Sequence, residues 1–449
     1  MIPAITKVLG ALKPHGNRRL IAENAAWLFF GRAYRMVFAL TVGIWIARYL
    51  GPESYGVLSY CLALLALFTP MATFGLQSIV VRDLVNMPDE NGEICGSAGV
   101  AIITMSFVSF ALLGGVIFML KPDDALVQAI IWIFGFTFLF KVLEIAAYWF
   151  ESRTLSKYIV WAQSTALTIS ALIKVAIILL GLPLIYIAIA FTIESILLSL
   201  GAVLAFRVWG PQQIRLAFSF ERMSSLFRQA LPMVLAALSV TVYMKIDQVM
   251  LGQMIGPEGV GHYAVAVALS EFWYIIPMVL VASVFPTLLT KRREDEAAFT
   301  EGFQGLYDFL ATAGLAVSVM IFLFSEPIIH FLFGDAYAPA SGVLRIHIWA
   351  FAFVGLGVAS GQWLVANGLQ VVVLQRTLAG AFTNVLLNLL LIPMYGIEGA
   401  AWSTLISYAL ASTFYDIVRK DTRAVFLMKM RAFIVPLAVR RSLTWLKAA

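Results

Sequence analysis

Long, nearly unbroken apolar stretches run the whole length of this chain, and few environments can hold them. Twelve such stretches cover residues 21–48, 55–80, 97–120, 125–150, 158–180, 183–206, 229–255, 261–289, 302–324, 343–366, 371–394 and 396–418. About 20 apolar residues let an α-helix cross the hydrocarbon core of a bilayer. Only 12% of the residues are charged and 61% are hydrophobic, whereas a soluble domain carries about 25% charge. A protein core cannot absorb that excess, so lipid must solvate most of the surface. Inside lipid every backbone polar group must be satisfied internally, which leaves helices or closed barrels. A barrel needs alternating segments of about ten residues, and none is visible. The expected fold is an all-α polytopic membrane protein of twelve transmembrane helices.

The net charge of +6 does not point to nucleic acid, because the basic residues are concentrated in alternate loops. One side holds Lys7, Lys13, Arg18 and Arg19, then Arg207, Arg215, Arg222 and Arg228, then Lys291, Arg292 and Arg293, then the tail from Arg419 to Lys447. Positive charge marks the cytoplasmic side, so both termini are expected there. The first twenty residues lack a short apolar run with a small-residue cleavage site and read as a retained interfacial segment. Cys61 falls in a span and Cys95 in a predicted cytoplasmic loop, where disulfides are rare; neither has metal-ligand spacing.

An internal repeat divides the chain. Residues 46–56 read IARYLGPESYG and residues 251–261 read LGQMIGPEGVG. Each places Gly-Pro-Glu at the outer end of a first span. Pro70 and Pro277 then fall at nearly the same depth of the next span. Six spans per half give both halves one orientation, hence a pseudo-two-fold axis along the membrane normal with a central site. The expected organisation is an interfacial segment (1–20), an N-lobe (21–206), a basic linker (207–228), a C-lobe (229–418) and a basic tail (419–449).

Several ionisable residues interrupt the apolar spans. Arg32, Arg35, Lys141, Lys174 and Lys245 are basic; Glu144, Glu194, Asp247 and Glu271 are acidic. A cation at the bilayer centre costs roughly 2.5–3.5 kcal/mol on insertion scales, so these side chains are expected to face a shared wet interior. A cationic interior suits an anionic cargo. Arg32 and Arg35 share a helix face and present planar forks suited to phosphate oxygens; snorkelling to headgroups is the alternative. Lys174 is mid-span. With Arg32, Arg35 and Lys245 it makes up the expected substrate-binding set. Lys141 and Glu144 are one turn apart and can neutralise each other. Asp247, Glu194 and Glu271 are candidates for ion coupling or for structural pairing. Arg345 and His347 start the tenth span, and Asn384 and Asn388 share a face suited to interhelical hydrogen bonds.

Four segments, in order, carry a family resemblance. They are the stretch from Asn24 through ARYLGPESYGVLSY, KIDQVMLGQMIGPEGVGHYAVA from Lys245, FLFGDAYAPAS from Phe331, and TNVLLNLLLIPMYGIEGAAWST from Thr383. Together they resemble the polysaccharide-transport branch of the multidrug/oligosaccharidyl-lipid/polysaccharide exporter superfamily. The resemblance implies a flippase for lipid-linked oligosaccharides, commonly undecaprenyl-pyrophosphate repeat units such as those of O-antigen. It implies residence in the bacterial inner membrane, with membrane lipids, a polysaccharide polymerase and chain-length machinery as partners. Drug-exporting relatives carry an acidic residue in an early helix; here Arg32 and Arg35 stand in the first span.

There is no GxxxxGK[ST] loop for ATP and no His/Cys set spaced for a metal, so no cofactor or metal site is expected. No large outer loop bears catalytic carboxylates, which counts against a membrane glycosyltransferase or polymerase. The expected activity is transport by alternating access, driven by proton or sodium entry or by the membrane potential. Gln163, Tyr243 and Trp273 are candidate sugar contacts.

Overall fold

The computed structural model describes residues 16–211 and 215–434, together with 438 and 441. Only the last five residues of the expected interfacial segment and the start of the basic tail belong to this set. Helices and short 3-10 turns make up the described residues, with no strand among them. Ten helical runs are long and apolar enough to cross a membrane, so this is a multi-pass membrane protein. Two of them, Glu23–Asn86 (64 residues) and Gln370–Ile417 (48 residues), are each long enough to cross twice. The first covers nearly all of the first two apolar stretches of the sequence, and the last nearly all of the final two.

The helices in chain order are α1 (Gly16–Thr73), α2 (Gln77–Asn86), α3 (Asn91–Leu120), α4 (Ala125–Gly135), α5 (Ile145–Ser152), α6 (Ser156–Leu179), α7 (Leu184–Trp209) and α8 (Phe220–Met254). They continue as α9 (Pro257–Glu271), α10 (Ile275–Glu294), α11 (Glu296–Phe333), α12 (Ala340–His347), α13 (Ala350–Ala366), α14 (Gln370–Ser412) and α15 (Arg423–Ala432). A 3-10 segment, Phe136–Glu144, joins α4 to α5. Cys95 is buried within α3 rather than in a loop, because that helix starts six residues before the apolar stretch does.

The chain forms two compact units, Met1–Gly43 with Phe68–Leu238, and Ile44–Leu67 with Ser239–Ala449. Their limits differ from the lobes expected at 21–206 and 229–418. The outer end of the first hairpin belongs with the second unit, and the first half of α8 with the first unit. Apolar periodicity marks where a helix lies but not which neighbours it packs on.

In the first unit Leu76, at the N-cap of α2, and Val80 and Leu84 within it pack with Ile94, Ala98 and Ile102 of α3, with Phe150, Ala205 and Leu226 closing the core. The i, i+4 spacing within each set puts those side chains on one helix face. In the second unit Phe299, Phe303, Leu306 and Leu310 form the equivalent stripe along α11, covered by Leu288, Leu356 and Val425. Apolar side chains on opposite faces, such as Leu172 in α6 and Leu323 in α11, stay exposed, as a lipid-solvated bundle requires.

The sequence repeat reappears as a reciprocal contact inside the second unit. Gly51 and Gly256 both take positive φ (71° and 110°), a region open to glycine and strained for other residues. Each breaks the helix so that the next can start at the following Pro, whose missing N–H costs nothing at a first turn. Gly56 then lies on the Pro257 carbonyl, and Gly261 on the Pro52 carbonyl. A Cβ at either position would overlap backbone.

Candidate functional site

In the first unit the leading part of α1 runs beside α6 with a regular set of contacts. The Asn24 side chain accepts from the Ser156 amide at 2.8 Å, Gly31 sits against Val160, and the Tyr34 and Thr168 hydroxyls are 2.7 Å apart. Arg35 donates to the Gln163 amide oxygen at 2.7 Å. A glycine at 31 admits the Val160 side chain, and this close approach brings Arg35 to Gln163 on the polar edge of α6. Arg35 is exposed, and the charges of Glu194, Glu144 and Arg32 all act on it.

The two lysines within the apolar spans of this unit, Lys141 and Lys174, are held differently. Lys174 is buried and binds Glu194 of α7 at 2.5 Å, while Ser170 donates to the same carboxylate oxygen at 2.7 Å. Its ammonium also lies 3.5 Å from the centroid of the Phe191 ring, a cation–π contact. Lys141 binds Glu144 at 2.7 Å. Both lysines thus have their own carboxylate, and Glu194 is not the lone acid that its isolated place in the sequence suggested. Four basic side chains meet two acidic ones here, and the surplus positive charge belongs to Arg32 and Arg35.

In the second unit Lys245 pairs with Glu271 at 3.3 Å, both partly exposed. Asp247, two residues along α8, points elsewhere and is 2% exposed. Tyr263 donates to one carboxylate oxygen at 2.7 Å, with Thr404 at 2.5 Å from the same oxygen. The Asn388 amide donates to the other at 2.5 Å, and Asn384 lies 3.2 Å from Asn388. Every partner is neutral. Among the described residues no basic side chain comes within ion-pair distance of Asp247. A buried charge is costly unless it is paired and hydrogen-bonded, and hydrogen bonds from neutral side chains surround this carboxylate. The Asn388 side-chain oxygen and the Asn384 side-chain nitrogen are buried without partners. Carboxylate, amide and hydroxyl oxygens are the donor types that hard cations take.

With the geometry in place, relatives can be compared. The family model for polysaccharide biosynthesis proteins matches residues 21–291, more than half of the chain. The chain belongs to this family. A second model, MatE, matches residues 232–390. The chain is 25% identical over 207 residues to the probable low-salt glycan biosynthesis flippase Agl15 of Haloferax volcanii, a match covering 45% of this chain and 43% of that protein. It is 31% identical over 180 residues to the probable flippase AglR of the same organism, covering 38% and 36%. The chain thus spans less than half the length of the curated relatives it matches. The lipid II flippase MurJ in an inward closed conformation aligns with a TM-score of 0.72 at 14% identity, over 93% of this chain and 96% of that one. An inward-facing multidrug resistance MATE transporter aligns with a TM-score of 0.68 at 15% identity, over 90% and 95%. Those likenesses establish the fold.

Two groups of buried charge in this family member escaped the sequence reading. Arg376 in α14 is 6% exposed and donates to the Ser360 hydroxyl at 2.8 Å and the Gly357 carbonyl at 3.0 Å. Its signal was present: a basic residue six positions into an apolar stretch, with no acid within a turn. Lys429, which reads as one more charge of a solvated tail, is fully buried in α15 against Asp416 at 2.6 Å. No local spacing shows that pairing. Arg345 pairs with Glu326 at 3.1 Å, and His347 is buried with its ring nitrogen 2.9 Å from the Ser270 hydroxyl.

Proposed function

We propose that this polysaccharide biosynthesis protein is a flippase that carries a lipid-linked oligosaccharide across the membrane. The observation that best supports the reading is the surplus charge of Arg32 and Arg35, exposed one turn apart on α1 while the span lysines Lys141 and Lys174 are each paired with a glutamate. A planar guanidinium fork suits pyrophosphate oxygens, which a compact ammonium engages only as a point charge. The names of Agl15 and AglR, both probable flippases, agree with it. The cargo in this reading is an undecaprenyl-pyrophosphate-linked repeat unit moving from the cytoplasmic to the outer leaflet of a bacterial inner membrane by alternating access. Both termini are cytoplasmic, and a polymerase and chain-length machinery act on the delivered unit. Lys174, held by Glu194, shapes the field around the arginines, and Lys245 is held by Glu271 in the second unit.

Asp247 is the coupling residue in this reading, exchanging a proton or Na+ as the cargo moves. Its neutral hydrogen-bonded surroundings favour that role over a salt-bridge role. Transport driven by the potential alone gains about 2.3 kcal/mol per 100 mV for each negative charge moved outward. A cation-coupled drug exporter is the second reading, favoured by the MatE match over residues 232–390; the two arginines disfavour a cationic drug.

The deciding experiment deletes the gene and weighs the lipid-linked intermediates that accumulate. Intact repeat units retained inside the cell support the flippase; truncated glycans would mean a transferase. Complementation with Arg32→Gln/Arg35→Gln should cut surface glycan at least tenfold at normal protein level. Arg35→Lys should retain part of it. Asp247→Asn should abolish the dependence of export on a proton or Na+ gradient; an unchanged dependence would remove Asp247 from coupling.

A further inference from the structure

Residues 215–219, just before α8, have their own architecture. They lie outside any helix and cross the start of α3. The Ala217 amide donates to the Gly92 carbonyl at 3.1 Å. The Ser219 amide donates to the Ser97 hydroxyl at 3.1 Å, and that hydroxyl lies 3.3 Å from the Ser219 carbonyl. Gly92 and Gly96 are needed for this approach, because a Cβ at either would overlap the Arg215 or the Ala217 carbonyl oxygen. Arg222, just beyond, is clamped by Glu90 and Glu93. The strap is thus pinned along its backbone.

Its side chains are left outside. Leu216, Phe218 and Phe220 alternate along the strap and are 71%, 54% and 71% exposed. Val208 and Trp209, at the end of the membrane-spanning α7, are 66% and 50% exposed. Arg207 and Arg215 flank it, both exposed. The C-terminus of α7 alone favours a cation at 207; it does not account for 215. Alternating exposed apolar side chains on a rigid backbone, beside a Trp at a span end and between arginines, match the demands of the headgroup region.

We infer that the 215–220 strap is an interfacial anchor that sinks Leu216, Phe218 and Phe220 below the headgroups while Arg207 and Arg215 bind acidic phospholipid. It would hold the α7–α8 junction at a fixed depth. The inference does not depend on the cargo.

The test places a spin label singly at 216, 218 and 220 in a Cys61→Ala/Cys95→Ala background. The full-length protein is reconstituted in phosphatidylcholine vesicles with and without phosphatidylglycerol. Oxygen and an aqueous nickel complex serve as collision probes. All three labels should favour oxygen over nickel, and more so with phosphatidylglycerol. Arg207→Gln/Arg215→Gln should erase that lipid dependence and lower several-fold the phosphatidylglycerol retained in native mass spectrometry. Labels open to the nickel complex in both lipids would overturn the inference. So would labels shielded from both probes, as under a protein partner, or depth and retention indifferent to phosphatidylglycerol.

Discussion

Lys174 and Arg35 show how differently two cations of one bundle can be used. Lys174 is 4% exposed and shares Glu194 with Ser170. Removing one member of such a pair leaves the other buried and alone, which costs about 3–5 kcal/mol. Lys174→Ala should therefore lower the melting midpoint in detergent markedly. Lys174→Ala/Glu194→Ala should recover most of that stability, and with it export of surface glycan. A double variant that is stable yet unable to export would instead make the lysine a direct cargo contact. Single charged positions were conspicuous in the sequence, because an ionisable residue in an apolar run has no other explanation. Their pairing was readable only where it was local. Lys141 and Glu144 are three apart on one helical turn, whereas Lys174 and Glu194 lie on different helices. Arg376 was readable and overlooked; the neutral donors around Asp247 come from α9 and from α14 on either side of its break at Gly396 (φ 60°).

At the level of the helix, glycine does the positioning. The Gly-Pro-Glu turns were visible as a repeat in the sequence, yet which atom each following glycine meets is a tertiary fact. Gly56 and Gly261 meet backbone, which cannot swing aside as the far end of a side chain can. Gly56→Ala and Gly261→Ala should each destabilise the protein by about 1–3 kcal/mol, the usual cost of overpacking. Because the two residues press on the same pair of helices, the double variant should lose less than the sum. Urea or thermal melts of the four proteins give the cycle directly. By contrast Gly43 and Gly115 have nothing within reach of a Cβ, and alanine there should be neutral or mildly stabilising through better helix propensity.

Over the whole chain, the two halves share a backbone plan but not their chemistry. The positions 205 residues beyond Arg32 and Arg35 hold Ala237 and Val240, and those 205 before Lys245 and Asp247 hold Leu40 and Val42. The second unit also closes on its own C-terminal helix. Lys429 is buried there against Asp416, and burial lowers its pKa from 10.5 to about 8 despite the pull of that carboxylate. Below pH 8 both the folded and the unfolded chain keep the proton. Between about 8 and 10.5 the unfolded chain binds more of it, so the contribution to folding stability rises with pH across that window. Melting midpoints of the natural chain should climb from pH 8 to 10 relative to Lys429→Met, in which this dependence vanishes. A fall would mean that the Asp416 attraction outweighs desolvation.

The reciprocal seating of Gly56 and Gly261 has an evolutionary corollary. A half-length ancestor would have offered this same notch and carbonyl to a second copy of itself, each serving as the other's mate. Such an isologous contact is what two-fold homodimers are built on. Fusion of the two genes would have preserved the handshake and released the rest of each half to diverge.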